Sequence, residues 1–283
     1  MGIGLRWIKS VPENAPQTLN QIILYVALPA LIFKSIPGLT WNPGLLALCL
    51  VPWGLFFLAW GVFHKSTWSD EVKGALILTA GLGNTAFVGF PVIEALYGTE
   101  GLRYAIFLDQ PGTFLIVSSL GLVVANKYSS AVLRKRDLAM RILVFPPFLS
   151  FTIALILTSV GWKPSGTGEL ILDRLASMLT PLALISVGLQ LKLSDIRTEG
   201  KYLTAGLVFK LIISPLIILG LMKALNLTGT FGRVAVMEAA MAPMVTSTIV
   251  AQAHGLRPKL AGLMLGIGVP LSFLTLLFWK SIL

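Results

Sequence analysis

The sequence predicts an all-α polytopic membrane protein made of two inverted five-helix repeats with crossed broken helices. Three observations carry that prediction. The first is composition: 55% of the 283 residues are hydrophobic, 12% are charged, and the mean hydropathy is +0.85. A soluble domain of this size cannot hide so much apolar surface in one core. An ordinary soluble enzyme, a disordered chain and a disulfide scaffold are excluded, and the single cysteine, Cys49, sits in an apolar run. The second observation is a series of apolar segments, each near the roughly 20 helical residues needed to cross a bilayer. The third is an echo between the two halves of the chain.

Nine spans are read in order: Leu19–Pro37, Pro43–Phe63, Gly74–Tyr97, Leu102–Ala125, Ile142–Gly161, Ile171–Leu191, Tyr202–Met222, Gly232–Ala253 and Lys259–Trp279. The connections are short, and the longest runs from Asn126 to Arg141. None holds a folded domain. No phosphate-binding loop, dinucleotide fingerprint or zinc-peptidase signature is read in the chain. The expectation is therefore no enzyme, no cofactor and no metal; His64 and His254 sit at span edges.

The net charge of +10 reads as topology before it reads as nucleic-acid binding. Alternating loops put Arg6, Lys9, Lys65, Lys73, Lys127, Arg134, Lys135, Arg136, Arg141, Lys192, Arg197, Lys201, Arg257 and Lys259 on the side of the N-terminus. The opposite side holds only Arg103, Lys163, Arg174, Lys223, Arg233 and Lys280. The positive-inside rule makes the first side cytoplasmic. The N-terminus as given is then inside and the C-terminus outside, in a bacterial cytoplasmic (inner) membrane. Arg134-Lys135-Arg136 is a topology anchor on this reading. The expected partners are the lipid bilayer and a small solute, with no nucleic acid; a homodimer stays open.

The echo rests on three matches in one order. Pro29 in Leu28-Pro29-Ala30-Leu31-Ile32 answers Pro181 in Thr180-Pro181-Leu182-Ala183-Leu184. Pro52 answers Pro215, and Tyr97-Gly98 answers His254-Gly255. The offsets are 152, 163 and 157 residues. Such an offset covers five spans, so the second copy enters the membrane upside down, as in many secondary carriers. The first repeat is residues 1–125, the second 142–283, and 126–141 is a basic linker. The fifth span then pairs with a helix beginning about fifteen residues before Met1, with Met1–Ile8 as its tail. A truncated first helix is expected; a genuine nine-span protein is the alternative.

Two spans look broken. Gly81, Gly83, Gly89 and Pro91 fall within eleven residues of the third, and Pro243 lies among small residues in the eighth, followed by Thr246, Ser247 and Thr248. Gly and Pro weaken a helix by about 1 and 3 kcal/mol relative to Ala. Open backbone survives in hydrocarbon only where it lines a cavity or is buried in protein. By the repeat, the breaks occupy equivalent places and face each other. The second half-helix after each break presents free N–H groups and a partial positive charge, which favour an anion. Helix packing or a simple kink explains any one Gly or Pro taken singly.

Ionisable groups inside spans are functional candidates by default. Asp109, Lys210 and Glu238 qualify. Each suits substrate binding, proton carriage or pairing, and a structural Lys210–Glu238 pair is an equal alternative. Lys34, Glu94 and Arg233 lie near span ends, where they snorkel.

These residues resemble the auxin efflux carrier family, within the bile acid, arsenite and riboflavin transporter grouping. The resemblance rests on Leu19-Asn20 with Ala27-Leu28-Pro29-Ala30, on Gly83-Asn84-Thr85 with Gly89-Phe90-Pro91, and on Glu94-Ala95-Leu96-Tyr97-Gly98. Asp109-Gln110 with Gly112-Thr113-Phe114, Ile185-Ser186-Val187-Gly188, and Pro243 with Ala251-Gln252 continue it. It implies a ten-helix fold of two inverted repeats whose fourth and ninth helices break and cross. It also implies secondary transport of organic anions: auxins in plants, and dicarboxylates such as malate or malonate in some bacteria.

The expected function is thus alternating-access transport of a small organic anion such as a carboxylate. The substrate-binding candidates are Gly83, Asn84, Thr85, Gly89, Pro91, Lys210, Pro243, Thr246, Ser247 and Thr248. Asp109, Gln110 and Glu238 are the coupling or gating candidates. The alternative is a membrane sensor or partner-binding subunit that moves no substrate.

Overall fold

The computed structural model describes residues 11–12, 14–39, 44–129, 145–190, 198–227 and 229–283. Met1–Ile8, Arg134-Lys135-Arg136 and most of the 126–141 linker lie outside the described residues. Within them the chain is helical: α1 (Ala15–Gly38), α2 (Gly44–His64), α3 (Asp70–Gly81), α4 (Thr85–Tyr128), α5 (Pro146–Ser159) and α6 (Gly166–Gln190) are followed by α7 (Gly200–Ala224), α8 (Thr230–Ala239), α9 (Val245–Ala253) and α10 (Pro258–Ile282).

Six of these, α1, α2, α4, α6, α7 and α10, are long and apolar enough to cross a membrane. The count is lower than the nine spans read from sequence for a physical reason. The third and eighth spans are not continuous: α3 stops at Gly81 before α4 starts at Thr85, and α8 stops at Ala239 before α9 starts at Val245. The third and fourth spans share α4, which turns at Gly98 (φ +63°). This left-handed conformation costs a glycine little. Gly255, between α9 and α10, has φ +71°. The fifth span is the shorter helix Pro146–Ser159.

Two groups of helices emerge. The halves of α6 and α5 pack on α1, whereas α2, α3, α4 and α7–α10 pack chiefly on one another. Asn20 of α1 accepts the Ser186 hydroxyl of α6 at 2.5 Å. In the larger group, α2 serves two apolar cores in turn. Leu45, Leu48, Val51 and Leu55 join one with Val88 and Val245, while Phe56, Ala59 and Phe63 join the other with Leu82 and Met244. The cores therefore meet at the two breaks.

Prolines inside these helices leave carbonyls without their usual donor four residues on. The helix widens to a π-helical turn ahead of three of them: Ile23–Ala27 before Pro29, Thr85–Gly89 before Pro91, and Phe209–Ile213 before Pro215. Pro111 lies within a fourth such turn, Asp109–Phe114. Side chains cover the exposed acceptors. Trp279 Nε1 donates to the Leu211 carbonyl, four residues before Pro215, at 2.9 Å. Trp53 Nε1 donates to the Pro111 carbonyl at 3.0 Å. Cys49 Sγ reaches the Phe107 carbonyl at 3.6 Å.

Trp279→Phe removes the donor to Leu211 and should destabilise the purified protein by about 1 kcal/mol. Thermal unfolding in detergent should show a lowered midpoint, whereas Trp162→Phe, at a half-exposed site, should leave it in place.

Candidate functional site

The two breaks lie against each other. The Asn84 N–H donates to the Ala242 carbonyl at 2.7 Å, and the Met244 N–H donates to the Leu82 carbonyl at 3.1 Å. The two short segments run antiparallel in an isolated bridge, with Gly83 opposite Pro243. The pairing answers the requirement that open backbone inside a membrane find internal partners. It also explains why Gly268 of α10 has no side chain: a Cβ there would lie 2.6 Å from Pro243 Cδ.

Four half-helix ends converge on this crossing, and they divide into two kinds. The N-terminal turns of α4 and α9 open onto a cavity of about 310 Å³. Ala86 and Phe87 come from the first, and Met244 and Thr246 from the second. Asp109 and Gln110 supply its polar wall from the π-helical turn of α4. Phe114, Val117, Phe145, Leu24 and Leu28 make most of the rest apolar. Leu24 and Leu28 belong to α1 and the polar wall to α4, so the cavity lies between the two helix groups.

The C-terminal ends of α3 and α8 lie at a second void, of about 10 Å³, lined by Gly81, Gly83, Thr85, Thr113, Lys210, Glu238 and Ala239 among others. That is the volume of about one water-sized probe. Lys210 is 2% exposed and donates from Nζ to the Ala239 carbonyl at 3.1 Å. Glu238 is equally buried, and neither carboxylate oxygen has a hydrogen-bond partner among the described residues. A Cβ on Gly89 would lie 2.5 Å from Glu238 Oε2, so the glycine admits the carboxylate against the first turn of α4.

Thr85 joins the two sides. Its hydroxyl donates to Asp109 Oδ1 while the residue also lines the small void. Asp109 Oδ2 accepts from Gln110 Nε2 at 2.7 Å. Asn84 Nδ2 and Gln110 Oε1 are buried without partners among the described residues, leaving a free donor and a free acceptor near the crossing.

The predicted residues thus separate. Asp109, Gln110 and Thr246 line the large cavity; Gly83, Thr85, Lys210 and Glu238 line the small void. Asn84 and Pro243 make the crossing itself, and Gly89 and Pro91 shape the first turns of α4. Ser247 and Thr248 are drawn away: both hydroxyls donate to the Met244 carbonyl, at 3.0 and 2.9 Å. Lys210 and Glu238 share the small void without a direct ion-pair contact within 4.0 Å. Sequence reading missed Phe114, Ser118 and Leu122, although with Gln110 their spacing of four, eight and twelve residues keeps them on one helical stripe.

The sequence profile described as "Membrane transport protein" matches residues 3–280. The chain belongs to that family, the one that contains the auxin efflux carriers. It is 28% identical over 282 residues to an uncharacterized transporter of Methanocaldococcus jannaschii, covering 96% of this chain and 91% of the relative. An uncharacterized transporter of Methanothermobacter thermautotrophicus is 29% identical over 296 residues, covering 100% and 94%. One from Escherichia coli K12 is 27% identical over 259 residues, covering 84% and 79%. The protein is a multi-pass member of a membrane transport family.

Gly89→Ala should cost about 1–3 kcal/mol, because the added methyl collides with Glu238. Gly54→Ala, with nothing within 4 Å of the added Cβ, should stabilise by up to about 1 kcal/mol. Thermal midpoints of the two variants should move in opposite directions.

Proposed function

We propose that the protein is a secondary carrier of a small organic anion, a carboxylate on an apolar body, working by alternating access in a prokaryotic cytoplasmic membrane. One observation carries this reading: the N-terminal turns of α4 and α9 open onto the same cavity, whose remaining wall is mostly apolar. Helix N-termini offer N–H groups and partial positive charge to an anion. The apolar wall suits the body of such a solute. The Asn84 amide, with a donor to spare, adds recognition beside the crossing.

The inverted-repeat organisation, residues 1–125 against 142–283, belongs to the same proposal. It is supported by the paired breaks and by Gly98 and Gly255, related by the repeat and both left-handed. Alternation then moves the crossing-bearing group of helices against α1, α5 and α6, with the cavity between them. Orientation follows the basic loops, with the N-terminal side cytoplasmic.

Asp109 gives the carrier a coupling device. An anion in the cavity meets the Asp109 carboxylate, and a proton on Asp109 removes the repulsion. Anion affinity should therefore rise as pH falls and Asp109 protonates. Asp109→Asn imitates the protonated form, so flux in proteoliposomes should lose its dependence on a pH gradient. An unchanged dependence would remove Asp109 from this role.

Asn84→Ala should abolish transport while inserting into the membrane normally; uptake at the wild-type rate rejects Asn84 as a recognition residue. The broad test is thermal stabilisation of the purified protein across mono- and dicarboxylates, since a ligand that binds only the folded state raises its stability. A response to cations or neutral solutes alone would overturn the anion reading.

A further inference from the structure

We infer that the Lys210 ammonium is a tethered cation, holding the place of a monovalent metal ion at the crossing, so that this protein needs no inorganic cation to keep its broken helices paired. The inference concerns the small void lined by Lys210 and Glu238, whose lining is separate from that of the 310 Å³ cavity. It stands whatever the substrate proves to be.

Four observations combine. The Lys210 Nζ binds the carbonyl of Ala239, the last residue of α8. It also lies 3.0 Å from where a Cβ on Gly83 would sit, two residues beyond the end of α3 at Gly81. Helix C-termini carry partial negative charge and unpaired carbonyls, which favour a cation. Glu238 adds a full carboxylate to the same void, and both of its oxygens lack hydrogen-bond partners among the described residues. The void that these groups line is about 10 Å³, too small for an organic solute and suited to one water or one small ion.

Without the ammonium, these groups would make a cation site: a carboxylate, the carbonyl end of α8 and the end of α3. Carboxylate and carbonyl oxygens are ligands that hard cations take. A buried carboxylate without compensation is also costly. The lysine supplies the compensating charge on a four-carbon stem, from the π-helical turn Phe209–Ile213 that places residue 210 against the crossing. Covalent attachment makes that cation permanent, whereas a metal ion would have to be captured from solution at each cycle. Lys210 therefore acts through the crossing and touches no substrate.

The test is thermal unfolding of the purified full chain and of Lys210→Ala, each in NaCl, KCl, methylammonium chloride or choline chloride at equal ionic strength. Wild type should unfold at the same temperature in all four salts. Lys210→Ala should be destabilised in choline chloride and recover in a saturable way with sodium, potassium or methylammonium, by about 2–4 °C or more. A wild-type midpoint that rises specifically with a metal ion overturns the inference, and so does a folded Lys210→Ala that ignores all three small cations. If Lys210→Ala does not fold in any salt, Lys210→Met is compared with the Lys210→Met/Glu238→Gln pair in choline chloride. Charge compensation requires the double variant to be the more stable and better folded. A double variant no better than the single one rejects the proposal. None of these readings depends on transport, so failure here is distinguishable from failure of the anion-carrier reading.

Discussion

Two backbone hydrogen bonds, Asn84 to Ala242 at 2.7 Å and Met244 to Leu82 at 3.1 Å, are the constraint on which the rest of the structure depends. Each broken helix leaves polar backbone where no solvent satisfies it, and each break meets that need through the other. The arrangement demands close approach. Gly83 lies opposite Pro243, Gly268 leaves room for the Pro243 ring, and Gly89 leaves room for Glu238. The same pairing sorts helix ends by polarity: the N-terminal turns of α4 and α9 open onto one cavity, and the C-terminal ends of α3 and α8 reach the void that holds Lys210 and Glu238. The proposed anion site and the proposed role of Lys210 both rest on this sorting of helix ends.

The surrounding helices show how such a site is tolerated inside an apolar protein. Pro111 and Pro215 interrupt helices that flank the crossing, and the carbonyl four residues before each is met from a neighbour: Cys49 reaches Phe107, and Trp279 bonds Leu211. The widened turns carry Asp109 and Lys210, which line the large cavity and the small void respectively. Charge is not scattered through the bilayer depth. Asp109 has its oxygens held by Thr85 and Gln110, and Lys210 faces the end of α8 beside Glu238.

Much of this was legible in the sequence because breaks are chemically conspicuous. Gly81, Gly83, Gly89 and Pro91 stand out in an apolar span, as do Pro243 and its hydroxyl neighbours, and both breaks occur where expected. The intramembrane charges were equally visible. Their allocation was not. A helix apolar on all sides has no periodicity that marks its inner face, so Lys210 and Asp109 could not be assigned to different voids from spacing alone. The hydroxyls of Ser247 and Thr248 looked available, yet local geometry turns both back onto Met244, a competition typical of Ser and Thr in helices. The apolar lining, Leu24, Leu28, Phe114 and Phe145, carried no signal against an apolar background. Nine apolar spans become six long crossing helices among the described residues because the third and eighth are broken, as expected, the third and fourth share α4, and the fifth is short.

The central claim is that the paired helix N-termini form an anion site exposed to one side of the membrane at a time. Counterflow tests it most directly. Proteoliposomes preloaded with an unlabelled carboxylate found to stabilise the protein are diluted into a trace of the same compound carrying a label. The account predicts transient accumulation of label above its equilibrium level, and none for the corresponding neutral amide. Label that only equilibrates would indicate a pore, and no movement at all would indicate a sensor. Equal counterflow of the amide would contradict the role given to the helix ends.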